Sequence, residues 1–271
     1  MRGRGAFLTV VIGAGLSGLA AALLLSRRGI PVMVVEAQDG AGGCCSTQAF
    51  DGYTFNNGAV YVAVPSLLRA SFRRLGISFE DEVQLLPIAR PHVTHLDNGT
   101  TVHLSTAEDS RVEGADDNSR TRQLREGLAR LHDDWRPIYR ALVCDVLPEE
   151  PSLVRTFGKL WKYLPRMGGH INQLIASYFP DGDLQAAVAS TLLYTGLPPD
   201  QLPSTQIVGL LALLEEGFHL PRGGMGTISA ALLRHLRNQS VPVRFGAEVK
   251  EIAVENGQVQ SVVLSDGERI Q

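Results

Sequence analysis

Leu8-Thr9-Val10-Val11-Ile12-Gly13-Ala14-Gly15-Leu16-Ser17-Gly18 is the stretch on which the fold turns. Leu8 to Ile12 is a continuous apolar run rich in β-branched residues, the pattern of a parallel strand buried on both faces. Gly13, Gly15 and Gly18 follow at G-x-G-x-x-G spacing, after that strand and at the opening of a helix. In such a turn the first glycine permits the tight reversal. The second lets backbone approach a pyrophosphate, and the third lets helix and strand pack closely. Leu16 to Arg28 is predicted to be helical, with Leu19, Ala20, Leu23 and Leu24 inward and Gly29 as its C-cap. The start of that helix offers free N–H groups and a positive dipole end to phosphates. Pro31 to Val35 is a second apolar strand that ends at Glu36, which completes a βαβ unit. At that strand end a carboxylate can accept both ribose hydroxyls and would repel a 2′-phosphate, which leaves FAD or NAD.

Arg2 and Arg4 ahead of the apolar run from Phe7 to Leu25 have the outline of a signal peptide or membrane anchor. Three helix-weakening glycines argue against a spanning helix, and a strand, turn and helix account for the same residues better. The 44% hydrophobic content is enough for a sizeable core, and the net charge of -3 gives no basic footprint for nucleic acid. Arg69, Arg73 and Arg74, and Arg120, Arg122 and Arg125, have acidic neighbours and read as solvated faces. Cys44, Cys45 and Cys144 form neither a disulfide framework nor a metal-ligand spacing, so a reducing, cytoplasmic setting is expected. The adjacent Cys44 and Cys45 read as small packing residues, because no neighbour in sequence would lower a thiol pKa.

Gly40 to Gly58 is rich in Gly, Asn and Asp and reads as loop with short extended pieces. Pro65 to Leu75 has the pattern of an amphipathic helix. Val93 to Leu104 is predicted to be a hairpin with a type I′ turn at Asp97-Asn98-Gly99-Thr100. That pairing sets Val93, His95, Val102 and Leu104 on one face and His92, Thr94, Leu96, Thr101 and His103 on the other. Ser105 to Arg120 is a polar surface connection. The chain then reads as helical to Glu216, cut into short helices at Pro137, Pro148, Pro151, Pro165, Pro180 and Pro198-Pro199. Ile207 to Leu214 is the most apolar of these, with Ser204 as its expected N-cap. It suits a buried helix, a tunnel wall or a peripheral membrane contact. After a helix ending near Arg237, Val243 to Ile270 reads as a three-stranded meander with Ile252, Val254, Val259 and Val263 on one face.

Three further pieces complete the pattern. Gly42-Gly43 lies just past Glu36, Asp51-Gly52-Tyr53-Thr54-Phe55-Asn56-Asn57-Gly58-Ala59 follows, and Leu220-Pro221-Arg222-Gly223-Gly224-Met225-Gly226 comes late. In these motifs, and in their order along nearly the whole chain, the sequence resembles the phytoene desaturase and amine-oxidase-like group of FAD-dependent oxidoreductases. The last motif, with the helix and the strand around Ala247-Glu248-Val249 after it, looks most like carotenoid desaturases, isomerases and retinol saturases.

The resemblance implies an α/β fold. A Rossmann-like FAD-binding domain with a β meander would cover residues 1–85 and 220–271, and an inserted α-rich substrate domain would cover 86–219. It implies FAD as cofactor, with the pyrophosphate at Gly13, Ala14, Gly15, Leu16, Ser17 and Gly18 and the ribose at Glu36. Gly42 and Gly43 would line the path toward the flavin, Gly58 and Ala59 would pass close to the ring, and Val249 would touch the adenine through its backbone. The implied function is desaturation, isomerisation or saturation of an apolar, polyene-like small molecule. The alternatives are an amine-oxidase-type flavoenzyme, or a non-catalytic chain: a lipid-escort protein of the Rab GDP-dissociation-inhibitor type or a truncated fragment that only binds. Two departures stand out. Cys44 takes the place of an Arg found in many relatives, and the chain stops at Gln271, where the family pattern continues into a further glycine loop and a helix against the flavin.

Acid–base candidates are few. His219 and Tyr194 are placed to face a substrate cavity. His92 and His103 share the polar face of the predicted hairpin, where they read as solvated residues with no third ligand, so no metal site is expected. A cofactor that carries the redox chemistry needs little else from side chains.

Overall fold

The structure is a computed structural model that describes residues 8–271. Arg2, Arg4 and Phe7, and with them the start of the leader-like run, lie outside the described residues. Two compact units divide the chain. One comprises residues 8–61, 72–86 and 220–271, the other 62–71 and 87–219.

β-Branched residues fill β1 (Thr9–Ile12) and β2 (Val32–Val35), which pair in parallel from Thr9↔Val32 to Ile12↔Val35 through α1 (Leu16–Arg27). β2 also pairs in parallel with a later strand on its other side, so Val32, Val34 and Val35 are buried. Among the described residues β1 pairs with β2 alone in this sheet; Thr9, Val10 and Val11 are half-buried and Ile12 is exposed, short of the burial on both faces expected of this strand. α1 buries Leu19, Ala22 and Leu23. Leu24, expected inward, is exposed, because one residue turns a helix by about 100° and carries it past the buried stripe. Gly29, at φ +73°, follows the helix end as predicted. The Gly-rich stretch folds as a hairpin of β3 (Thr47–Phe50) and β4 (Tyr53–Asn56), followed by α2 (Pro65–Arg74), α3 (Phe79–Glu82) and β5 (Leu85–Pro87).

In the second unit β6 (His92–His95), β7 (Thr101–Leu104) and β8 (Arg111–Glu113) form an antiparallel sheet. The pairs are His92↔Leu104, Val93↔His103, Thr94↔Val102 and His95↔Thr101. Leu96 N–H donates to the Thr100 carbonyl across a three-residue loop with Gly99 at φ +83°, in place of the predicted two-residue turn. One extra loop residue slips the register by one, and that reverses the face assignments. His92 and Thr94 therefore share a face with Val102 and Leu104, while Val93 and His95 share the other with Thr101 and His103. The supposed surface connection after Leu104 contains β8, whose Val112 pairs with Val102.

α4 (Asp117–Arg140) runs through Pro137 and continues as a π-helical turn over Ala141–Val146. Pro137 therefore does not end the helix as expected. Its missing N–H removes one intrahelical bond, but buried Leu131, Trp135, Ile138 and Tyr139 hold the segment in place. Arg120 is not solvated either. Its guanidinium pairs with Asp181 (3.0 Å) and Asp183 (2.7 Å) and donates to Thr100 Oγ1 (3.1 Å). α5 (Leu153–Leu160), α6 (Leu164–Met167), α7 (Ile171–Tyr178), α8 (Gly182–Ser190) and α9 (Val208–Glu216) complete the unit. α9 buries Leu210, Leu211, Ala212 and Leu213, as an ordinary core helix does. Ser204 does not cap it: a 3₁₀ turn intervenes, and Ser204 Oγ donates to the Met167 carbonyl at 3.0 Å.

The chain returns to the first unit through β9 (His219–Pro221), which pairs with β5. α10 (Gly226–Asn238) buries Ile228, Ala231, Leu232 and Leu236 at helical spacing and packs beside α1. β10 (Val243–Arg244) joins β2 in parallel, so Val243 belongs to that sheet and not to the meander. The meander is β11 (Val249–Glu255), β12 (Gln258–Leu264) and β13 (Arg269–Ile270). Ile252 pairs with Val262 and Val254 with Val259, whereas Val263 pairs with Glu251 on the opposite face. Register shifts at both ends of the ladder break the simple alternation that had grouped Val263 with Ile252. Val35, Ala247, Val262 and Leu264 form the small core beneath it.

Candidate functional site

The glycine turn is tied to the end of β2 by its own backbone. Gly13 donates its N–H to the Val35 carbonyl (2.7 Å), and Ala14 donates to Glu36 Oε2 (2.6 Å). The other Glu36 oxygen accepts from Gln38 N–H (2.9 Å), and the Glu36 carbonyl accepts from Ala247 N–H (2.8 Å). Glu36 thus joins the loop, the strand end and the segment leading to β11. Ala14 is completely buried, and its carbonyl accepts from Gly42 N–H (2.8 Å), which sets Gly15 and Gly42 side by side in a β-bridge.

Gly15 stands at the N-cap of α1 without a side-chain hydrogen bond, and the first turn at Leu16, Ser17 and Gly18 carries no acidic residue. The positive helix end is therefore not neutralised by its own side chains. A Cβ built on Gly13 or Gly15 would meet nothing within 4 Å, whereas one on Gly18 would stand 2.0 Å from the Gly13 carbonyl oxygen. The loop is packed on its helix side and open at Gly13 and Gly15. Backbone donors, a helix N-terminus and open space suit a phosphate-bearing ligand.

Gly42 is buried, and Gly43 begins a short 3₁₀ turn through Cys45. The Cys44 carbonyl accepts from Ala59 N–H (2.8 Å) and the Ser46 carbonyl from Asn57 N–H (3.0 Å), so Gly58 and Ala59 run alongside this turn. Asn57 Nδ2 also donates to Ser46 Oγ (2.8 Å). Asn56 Oδ1 accepts from Met225 N–H at 2.9 Å, and a Cβ on Gly224, at φ +89°, would lie 2.6 Å from Thr47 Cγ2. The Gly-Gly-Met turn is latched onto the β3–β4 hairpin. Ser46, Thr47 and Asn56 had no assigned role in the sequence, where the only signal was the Asn-Asn pair before Gly58. Cys44 is exposed, so it is not a packing residue, while burial and the neighbouring Cys44 push the Cys45 thiol pKa up, away from reactivity.

Val249 opens the meander opposite Leu264 and packs against the Val35–Ala247 core. A depression of about 390 Å³ bounded by Ala37, Gly246, Ala247 and Leu264 lies beside it, next along the chain from Glu36.

In the second unit His219 exchanges backbone hydrogen bonds with Val62 (2.7 and 3.0 Å), and its buried Nδ1 has no hydrogen-bond partner among the described residues. Tyr194 is exposed, its ring 6.2 Å from that of His92 and edge-on to it. His92 Nε2 lies 2.8 Å from Ser190 Oγ and 3.2 Å from Thr94 Oγ1, and burial lowers its pKa. His103 is buried, with Nε2 3.1 Å from Glu113 Oε1 but off the hydrogen-bonding direction. His103 is buried and His92 half-buried, and the register slip places them on opposite faces. No cluster of three His, Cys, Asp or Glu that could hold a metal is present among the described residues.

The chain is 31% identical to a zeta-carotene-forming phytoene desaturase of Myxococcus xanthus over 97% of its length and 51% of that protein's. It is 29% identical to a 4,4′-diapophytoene desaturase of Staphylococcus haemolyticus, covering 90% of the chain and 49% of that protein. It therefore spans about half the length of the curated relatives it matches. Among solved structures, wild-type putrescine oxidase bound to putrescine superposes with a TM-score of 0.63 at 20% identity, over 97% of this chain and 55% of the oxidase. A Rab GDI from Plasmodium falciparum gives 0.58 at 12% identity, over 97% and 62%. These last two likenesses speak to the fold alone, a mixture of helices and sheets. The model of the flavin containing amine oxidoreductase family matches residues 16–271, and the chain belongs to that family.

Proposed function

We propose that this chain carries the cofactor-binding machinery of an FAD-dependent oxidoreductase that acts on an apolar polyene by desaturation, isomerisation or saturation. The observation that carries the reading is the tie between the Gly13–Gly18 turn, Glu36 and Gly42, in a chain whose curated relatives are carotenoid desaturases. In this reading the first unit is a Rossmann-like FAD domain and the second an inserted, α-rich substrate domain. FAD, when bound, supplies a ring that accepts a hydride from carbon. The chain's own residues bind and orient. The N–H groups of Leu16, Ser17 and Gly18 meet the pyrophosphate, and Gly13 and Gly15 leave it room. Glu36 takes the ribose hydroxyls on the lone pairs that Ala14 and Gln38 do not use, and its charge rejects a 2′-phosphate. Gly42, Gly43, Gly58 and Ala59 offer little or no side chain along the path to the ring, and the Val249 backbone meets the adenine. His219 Nδ1, buried and without a hydrogen-bond partner among the described residues, is the candidate polar group on the substrate side.

The alternatives fit this chain less well. The curated relatives near 30% identity are desaturases, whereas putrescine oxidase stands at 20%. An escort protein without flavin would not need a loop left open at Gly15. Purified protein titrated with FAD and followed by flavin absorbance should give saturable binding that Glu36→Ala weakens at least about tenfold. NADPH should not compete. Protein that takes up no FAD would overturn the cofactor reading. Loaded protein that binds FAD yet leaves phytoene in liposomes unchanged, while oxidising putrescine, would overturn the substrate reading alone.

A further inference from the structure

β6 is an outer strand of its sheet, and a cleft of about 450 Å³ at that edge is lined by His92, Thr94, Ser190, Leu193 and Tyr194, all of the second unit. The size is that of a small-ligand site. Leu193 and Tyr194 are exposed, and the Tyr194 ring stands edge-on to His92. His92, Thr94 and Ser190 form a triangle of polar atoms there. Ser190 Oγ lies 2.8 Å from His92 Nε2 and 2.9 Å from Thr94 Oγ1, and the third side, His92 Nε2 to Thr94 Oγ1, is 3.2 Å. The Ser190 hydroxyl donates its one proton to the Ala187 carbonyl at 2.7 Å, one turn back in α8. With two lone pairs left, Ser190 Oγ accepts from both neighbours. Thr94 Oγ1 therefore donates to it, and His92 carries its proton on Nε2. Burial lowers the His92 pKa, which keeps the ring neutral near pH 7. Each side-chain proton of the cluster is then used inside it. What remains is acceptors: His92 Nδ1, which makes no hydrogen bond among the described residues, and a lone pair of Thr94 Oγ1.

We propose that this cleft binds an apolar alcohol, whose hydroxyl donates to His92 and Thr94 while its chain lies against Leu193 and the Tyr194 ring. A carbonyl, an ether or a carboxylate would bring lone pairs to lone pairs, so the cluster selects a donor. A serine and a histidine 2.8 Å apart also have the outline of a nucleophile and its base. Here the proton runs the other way, from His92 to Ser190, and Ser190 is not activated. The same bonds pin β6 to α8, but pinning leaves the two acceptors unmatched. The inference concerns the second unit by itself and does not rest on FAD binding.

Two isomers separate this reading from simple hydrophobic uptake: 1-octanol, and the ether 1-methoxyheptane, which lacks the donor. They are titrated into the purified full chain without added FAD and followed by NMR of nitrogen-labelled histidine rings. 1-Octanol should bind at least about tenfold more tightly than the ether. Free protein should show His92 as the neutral tautomer protonated on Nε2, and 1-octanol should move the His92 Nδ1 resonance. His92→Phe/Thr94→Val/Ser190→Ala removes every polar side-chain atom of the cluster at similar shape, and should bring the two ligands within about twofold of each other. Leu193→Asp, at an exposed position, should weaken both at least about fivefold and keep their ratio. Absent or equal binding, a His92 ring protonated on Nδ1, or a preference for the alcohol that survives the triple variant would overturn the proposal. The tautomer and the ligand preference are read on the unaltered chain, so both stand even where the triple variant does not fold.

Discussion

The glycines of the first unit serve two regions in opposite ways. At Gly15 the backbone borders empty space. At Gly18, three residues on, and at Gly224 in the turn before α10, the absent side chain is filled by the protein itself: the Gly13 carbonyl in one case, Thr47 and Asn56 in the other. A glycine pattern in a sequence therefore mixes two requirements. One is room for a ligand, and the other is close approach of two pieces of chain. Only the second contributes to stability, so substitutions separate them.

Gly18→Ala should have the largest effect, a loss of about 2–3 kcal/mol in urea unfolding, because its Cβ would meet a backbone oxygen that cannot step aside. Loss of less than about 0.5 kcal/mol would mean that the loop yields to the added methyl. Gly224→Ala should cost about 2 kcal/mol, from its positive φ and from contact with the Thr47 methyl. Thr47→Ser in the same chain should restore part of that loss, and a double-mutant cycle would measure how much of the crowding is the methyl. Gly15→Ala should leave the unfolding midpoint nearly unchanged, since φ there is -70°, yet weaken FAD binding by about tenfold, or about 1.4 kcal/mol. Equal FAD affinity would mean that the open side of the loop does not face the cofactor. Asn56→Ala should be the mildest, about 1 kcal/mol, by leaving the Met225 N–H unpaired. Hydrogen exchange at Met225 checks it.

What the sequence made legible was what a short stretch of chain determines. The first βαβ unit is specified by the strand run, the glycines and Glu36 within about 30 residues, and the structure has it with small shifts at its ends. The Gly223-Gly224-Met225 motif could be located but not explained, because its partners Thr47 and Asn56 are far away in sequence. The hairpin failed for a different reason. Asn98-Gly99 correctly marked a turn, but a three-residue loop in place of a two-residue one exchanged the faces and separated His92 from His103. Arg120 was misread because its partners, Asp181 and Asp183, lie some sixty residues on. Pro137 was misread because tertiary packing held a helix that local chemistry would have ended. The apolar segment that looked fit for a membrane was buried. Hydrophobicity identifies what avoids water, and the fold decides which of those segments finds cover.

Glu36 carries one more consequence. With Ala14 N–H on one oxygen and Gln38 N–H on the other, its side-chain torsions are set before any ligand arrives. A free glutamate gives up roughly 1–2 kcal/mol of rotamer freedom when it is immobilised. Here that cost falls on folding and not on binding. A diol that docks against this carboxylate meets a rigid acceptor pair, so its capture should show a smaller entropic penalty in calorimetry than capture by a swinging side chain. A Gln at this position would have to turn its amide oxygen to one of the two backbone donors and leave the other facing an NH₂ group. Charge alone does not describe this residue: its symmetry as a double acceptor is what holds the strand end and the loop in one fixed relation.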